Sequence, residues 1–426
     1  HMRGNSIPKN FMERLRYLEK IFKSNKFIRS YNKCPKRNDS SFEEFLNYIF
    51  LYAKKNTVID AIILSFYYVC HEIKYDNEIN ERTESNFKTT QNAENVFDTG
   101  LALSIGYTNI CEAILKKLDV RYKHIEGCCK YLPKENLYNT SISTNKSQYI
   151  NTKLGDNSND KNIPNSYSTY NNMSNITQNY NSSNYLNTST NYNRINFDLI
   201  NINNYINHCW NAFYYKGEWY LIDLLFGSGS IEIKDVINEP NQQKKEVEDN
   251  FNFFYLMPDP NLLIYSHFTA DENWQFTTKA WNLKQFLQKK LINYGKFYKG
   301  IIKYDIELLT HNDPFIIVNN KENLAIKLRV YNFVIDTNLY DAVNGNKIDE
   351  VKFSLDQKTN IFTLEPAFPK VGEYFIRIKL KALNSTDLLY RQLFDYRVKV
   401  TNNLIFNYFE KYNDKQNTLR SEKYKL

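Results

Sequence analysis

Two aromatic-rich runs, His208-Cys209-Trp210-Asn211-Ala212-Phe213-Tyr214-Tyr215 and Glu218-Trp219-Tyr220-Leu221-Ile222-Asp223-Leu224-Leu225-Phe226, flank the dipeptide Lys216-Gly217. Such runs around a two-residue turn predict an antiparallel hairpin. Register in a hairpin is tightly specified, because a slip of one residue turns every side chain to the other face. A turn centred on Lys216-Gly217 sets Trp210 opposite Asp223 and His208 opposite Leu225. His208 and Asp223 then lie on one face as diagonal neighbours, within reach of a carboxylate–imidazole hydrogen bond. Such a carboxylate fixes the tautomer of a histidine that acts as a base. The same pair is also compatible with two satisfied polar residues of a hairpin and nothing more.

The rest of the chain bounds what can surround that hairpin. Its 426 residues allow up to three domains. The 34 Tyr, 28 Phe and 4 Trp supply core-forming surface that excludes wholesale disorder. A mean hydropathy of −0.60 nevertheless points to a polar insertion. Residues 132–207 repeat Asn, Ser, Thr and Tyr without helical or strand period, and are expected to be a disordered insertion. The net charge of +8 is spread without a basic run, which argues against nucleic acid as a partner. The six cysteines form neither a disulfide framework nor a CxxC pair, so a reducing, intracellular compartment is expected.

No apolar stretch precedes Lys9, so no signal peptide is expected, and His1-Met2 has the look of a cloning remnant on a fragment. The longest apolar run, Val58 to Cys70, is shorter than the roughly 20 residues of a spanning helix, so no transmembrane segment is expected. Phosphate loops, HExxH and paired CxxC motifs do not occur, so neither a cofactor nor a metal is expected.

Periodicity predicts one helix over residues 11–29, a capped helix starting at Ser40-Ser41-Phe42-Glu43-Glu44, a largely buried helix over 57–73, and an amphipathic helix over 104–119. Residues 120–131 are β-compatible. From Ile301 onward, short alternating runs at 324–330, 351–355, 361–364, 374–380 and 393–400 predict an antiparallel β-sandwich. The expected organisation is an N-terminal helical extension over 1–40, a mixed body over 41–300 with the insertion at 132–207, the sandwich over 301–401, and a charged tail over 402–426.

Several motifs, read together, go further. His208-Cys209-Trp210-Asn211 and Trp219-Tyr220-Leu221-Ile222-Asp223 resemble the His-x-Trp-Asn and Trp-Tyr-hydrophobic-hydrophobic-Asp signatures of transglutaminase-like domains. Ser104-Ile105-Gly106-Tyr107 is similar to that family's Cys-x-Gly-Tyr motif, His124-Ile125-Glu126-Gly127 to the strand after the nucleophile helix, and Val69 to Asp76 to an upstream helix. Phe254 to Pro260, Ile264 to Phe268 and Trp274-Gln275 resemble the kyphoscoliosis peptidase-type subgroup, where a comparable segment leads into an immunoglobulin-like sandwich. The resemblance implies an α+β fold: a papain-like transglutaminase core followed by an immunoglobulin-like β-sandwich. It also implies a triad at Ser104, His208 and Asp223, and protein partners of the cytoskeletal or cell-division kind, hence a cytoplasmic or cytoskeleton-associated protein.

The departure is at Ser104, where the family carries cysteine. A hydroxyl is far less acidic than a thiol and forms no thiolate–imidazolium pair. Three readings follow: a catalytically degenerate module used for protein–protein interaction, an engineered Cys-to-Ser inactive form of a peptidase or transglutaminase, or an acyl-transfer hydrolase or peptidase working with Ser-His-Asp. A scaffold that uses only the sandwich and the insertion would make the triad positions irrelevant. Cys209 alternates to the face opposite His208 and, with Cys111, Cys128 and Cys129, is read as structural. His71 and His124 read as satisfied core histidines, His267 as a packing or hydrogen-bonding residue, and Trp274 and Trp281 as packing residues.

Overall fold

A computed structural model describes residues 7–76, 91–130, 206–230, 250–289, 292–383 and 390–402. The polar insertion, apart from Ile206 and Asn207, and the tail beyond Asn402 lie outside the described residues. The fold is α+β and divides into two compact units, His1–Lys234 with Gln242–Ile302 and Asp235–Asn241 with Lys303–Leu426.

The first unit opens on helices that follow their capping signals. The expected helix over 11–29 is two, Phe11–Phe22 and Asn25–Asn32, because Ser24 leaves helical geometry and caps the second by accepting from Phe27 N at 3.2 Å. Ser41 and Glu44 close a reciprocal capping box on the Phe42–Lys55 helix. Thr57 caps the Val58–Glu72 helix, whose side chains are buried on most sides.

Two short parallel strands, β1 (Lys74–Tyr75) and β2 (Leu101–Ala102), bring the chain to the Ser104–Lys117 helix. A four-stranded sheet follows: β3 (Tyr122–Cys129), β4 (His208–Tyr215), β5 (Glu218–Ile222) and β6 (His267–Phe268), in the order β5-β4-β3-β6. The β4–β5 hairpin has the expected register, with Asn211 opposite Ile222 and Tyr215 opposite Glu218. Lys216 and Gly217 both take positive φ, 49° and 91°, the geometry that matches a two-residue turn to strand twist.

One expectation is corrected here. The second strand stops at Ile222, and residues 224–228 form a short helix instead of strand, because the Asp223 carboxylate accepts from Phe226 N at 3.0 Å and caps it.

The second unit is strand-rich. Its elements are β7 (Glu307–Leu308), β8 (Phe315–Asn319), β9 (Ile326–Arg329), β10 (Phe333–Asp341), β11 (Lys347–Glu350), β12 (Lys352–Asp356), β13 (Ile361–Glu365), β14 (Gly372–Ala382) and β15 (Arg391–Thr401). They form a five-stranded sheet, β11-β10-β14-β15-β8, and a four-stranded one, β12-β13-β9-β7. Pairing is antiparallel except between β15 and β8, a parallel pair that local alternation cannot reveal. Arg377, 1% exposed, donates to both oxygens of its cross-strand neighbour Asp395 at 3.0 and 3.1 Å.

Candidate functional site

Strand alternation sorts the chemistry of the first unit onto two faces of one sheet. Gly127 of β3 is opposite His208 of β4, and Cys129 is opposite His267 of β6, so His208 and His267 share a face. Gly127 stands between them without a side chain; a Cβ there would lie 2.1 Å from the Phe268 carbonyl oxygen and 2.6 Å from Trp210 Cη2. The bare backbone lets β6 pair with β3 and lets the two imidazoles approach to 5.2 Å between centroids.

Asp223 joins these rings. Its Oδ2 lies 2.5 Å from His208 Nε2 and 3.2 Å from His267 Nε2, while its Oδ1 holds the helix cap. All three residues are buried. The Ser266 hydroxyl donates to the Leu263 carbonyl at 3.1 Å, so its oxygen is left to accept from His267 Nδ1 at 2.7 Å. With its other N–H donated to Asp223, this network assigns both ring protons, and a positive charge, to His267.

The electrostatics agree with that assignment. Burial alone would lower the His267 pKa, but Cys129 and Asp223 raise it. Burial alone would raise the Asp223 pKa, yet pairing with His208 and His267 holds it below the ordinary carboxylate range. His208 donates its Nε2–H to the Asp223 carboxylate, and its second ring nitrogen is Nδ1. Among the described residues that atom has no hydrogen-bond partner.

His208, Asp223 and His267 also form a group whose donor atoms lie within 4.8 Å of one another, as metal ligands do. The 2.5 Å between His208 and Asp223 is a hydrogen-bond length. Neighbouring ligands on a tetrahedral zinc stand about 3.3 Å apart, given bonds of about 2.0 Å. The arrangement fits a shared-carboxylate proton network better than an ion.

Ser104 occupies different ground. It begins its helix behind Leu103, which makes no side-chain cap, and is 7% exposed. Its Oγ lies 3.6 Å from Cys209 Sγ, and Thr108 Oγ1, one turn on, is 3.3 Å from the same sulfur. Cys209 follows His208 on β4 and points to the other face, the one this helix covers. The structure therefore brings His208 and Asp223 together and leaves Ser104 without a hydrogen bond to His208.

The remaining histidines and tryptophans are engaged locally. His71 Nδ1 lies 2.7 Å from the Tyr67 carbonyl oxygen and its ring stacks on Tyr67. His124 is not enclosed in the core: its side chain is 30% exposed and pairs with Glu112 at 2.7 Å. Trp274 packs edge-on to Trp219, and Trp281 against Tyr265. Sequence reasoning missed that His267 shares Asp223 and that Cys209 meets Ser104. The parity of β3 and β4 carried part of that signal; the placement of β6 beside β3 did not show in any local pattern.

No family model matches the chain. Two curated proteins do, the kyphoscoliosis peptidases of Mus musculus and Homo sapiens, each 27% identical over 195 residues, or 45% of this chain. The chain is distantly similar to kyphoscoliosis peptidase. The match spans a quarter of those proteins' own length. This similarity supports the transglutaminase-like resemblance read from the motifs. A solved structure described as "Crystal structure of a TGase" aligns with 58% of this chain and 38% of its own at 10% identity, with a TM-score of 0.21, too low to bear on the fold. Among the described residues no helix is long and apolar enough to cross a membrane.

Proposed function

We propose that the chain is a catalytically degenerate transglutaminase-like module that serves protein–protein interaction, with a papain-like core and an immunoglobulin-like sandwich as its second unit. The observation that carries this reading is the state of the nucleophile position. A hydroxyl stands at Ser104 where the family has a thiol, it meets Cys209, and His208 Nδ1 has no partner. A serine becomes nucleophilic only when a base takes its proton, directly within about 3.2 Å or through one water. The His208–Asp223 pair then acts as a buried polar tie between the sheet and the Asp223-capped helix.

Cytoskeletal or cell-division proteins are the proposed partners, by analogy with the subgroup. The test has two arms. A serine-directed fluorophosphonate on the unsubstituted chain is expected to leave Ser104 unmodified, and an adduct there that His208→Ala abolishes would overturn the reading. Pull-down from a cell extract with the full chain is expected to recover a reproducible partner; recovery of none would count against the interaction role.

A further inference from the structure

The face of β4 turned away from His208 holds a second cluster. Register places Cys209 opposite Glu126 and makes His124 its diagonal neighbour on β3. Above them the Ser104–Lys117 helix contributes Ser104, Thr108 and Glu112. The Cys209 sulfur lies 3.6 Å from Ser104 Oγ and 3.3 Å from Thr108 Oγ1. His124 Nδ1 is 2.7 Å from Glu112 Oε1, and its Nε2 is 3.9 Å from Glu126 Oε1. The Asn211 amide reaches Glu112 Oε1 at 3.5 Å and helps hold that carboxylate in place.

We infer that Cys209, His124 and Glu112 form a thiol-oxidation site, at which hydrogen peroxide converts Cys209 to its sulfenic acid. Two carboxylates flank one imidazole, which favours its charged form, and an imidazolium beside the sulfur can supply the proton that a departing hydroxide needs. Burial works against the charge on His124, but its contacts with Cys209 and Glu112 prevail and raise its pKa to about 10. The Ser104 hydroxyl, 3.6 Å from the sulfur, can turn its proton toward it in place of water, while the Thr108 hydroxyl has the Ser104 carbonyl oxygen as its nearer acceptor at 2.9 Å.

Access selects the oxidant. Cys209 is 4% exposed, whereas the side chains of His124 and Glu126 are 30% and 27% exposed, so the cluster meets solvent at its rim. A peroxide molecule needs far less room than a peptide.

In the reaction His124 is already charged, so the thiol proton leaves to solvent at the rim and a solvent proton returns to the imidazole after turnover. The sulfur then attacks one peroxide oxygen, the S–O bond forms as the O–O bond breaks, and two electrons leave sulfur for the peroxide. The departing hydroxide takes the proton from His124 and leaves as water, so thiol and hydrogen peroxide give sulfenic acid and water.

Three of the other thiols, Cys34, Cys111 and Cys128, supply internal controls. Burial pushes Cys34 and Cys128 up to about 12 and raises Cys111 well above its ordinary value. Such thiols are inert at neutral pH. The chemistry uses neither His208 nor Asp223, so its outcome is separate from that of the acyl-transfer question.

The test is a brief pulse of hydrogen peroxide on the folded, unsubstituted chain, stopped with catalase, then denaturation in dimedone and mass spectrometry of every cysteine peptide. Cys209 is expected to form the dimedone adduct at least tenfold faster than Cys34, Cys111 or Cys128, and His124→Gln to remove that advantage while the controls stay unchanged. Glu112→Gln provides a second variant, expected to slow Cys209 severalfold, for use if His124→Gln unfolds and exposes every thiol. Oxidation of Cys209 at the rate of the controls, or an unchanged rate in a folded His124→Gln or Glu112→Gln chain, would overturn the proposal.

Discussion

The Ser104 hydroxyl lies 3.6 Å from the sulfur of Cys209, one residue along β4 from His208 and on the other face of the sheet. The two halves of the motif-implied triad thus meet different partners. His208 and Asp223 are bound to each other and to His267, while Ser104 belongs to the helix-covered side.

The shared carboxylate dictates the cost of removing it. Asp223→Asn keeps a cap acceptor for Phe226 N but leaves a buried charged His267 without its counter-charge. Removing one partner of a buried pair costs about 3–5 kcal/mol. Urea denaturation followed by tryptophan fluorescence is expected to show a loss of that order. A loss under about 1 kcal/mol would mean that Asp223 is not ionised against two histidines.

The same group sets an acid limb to stability. Its folded pKa lies below the unfolded value. The stabilisation is therefore fully present above the ordinary carboxylate pKa of about 3.9 and is lost as pH falls further. For His267 the shift is upward, so its contribution is complete below about pH 6.5 and declines as pH rises. Thermal unfolding between pH 3 and 9 should show both limbs. Asp223→Asn should flatten the acid one, and His267→Gln the alkaline one.

Gly127 is a packing requirement that can be tested alone. A methyl group there meets the Phe268 carbonyl and the Trp210 ring. Gly127→Ala should destabilise the first unit by about 1–3 kcal/mol through overpacking. Faster hydrogen exchange at Lys130 N, which donates to Ser266 O beside β6, would locate the damage.

In the turn, Lys216 has φ near 49° and Gly217 φ near 91°. Lys216→Asn is expected to be neutral or to stabilise by up to about 1 kcal/mol, since Asn tolerates this conformation. Gly217→Val should destabilise by about 1–3 kcal/mol. Denaturation midpoints of the two variants should move in opposite directions, or only the second should move.

What could be read from the residues was whatever local rules govern. Lys216-Gly217 with alternating flanks fixed the hairpin, and Ser41 with Glu44 marked a helix start. Where two local rules compete, reading fails: Asp223 continues an apolar run and also caps a helix, and the cap prevails. Ser24 interrupts a run of helical period in the same way. Non-local placement was invisible. Nothing near His267 says that β6 pairs with β3, and nothing near Ser104 says that its neighbour is Cys209. In the second unit β7, β8, β10 and β11 fall outside the expected runs, and the parallel β15–β8 pair differs from the expected antiparallel arrangement, because pairing direction is a property of topology rather than of any short run.

A Ser104 hydroxyl turned to Cys209 rather than to His208 is not expected to support acyl transfer, and covalent labelling at Ser104 tests this most directly. The unsubstituted chain and Ser104→Cys are treated with a fluorophosphonate and with a peptide-like cysteine-directed acylating probe, and adducts are mapped to residues by mass spectrometry. No adduct is expected at Ser104 in the unsubstituted chain with either probe. An adduct at Ser104 that requires His208 would contradict that expectation.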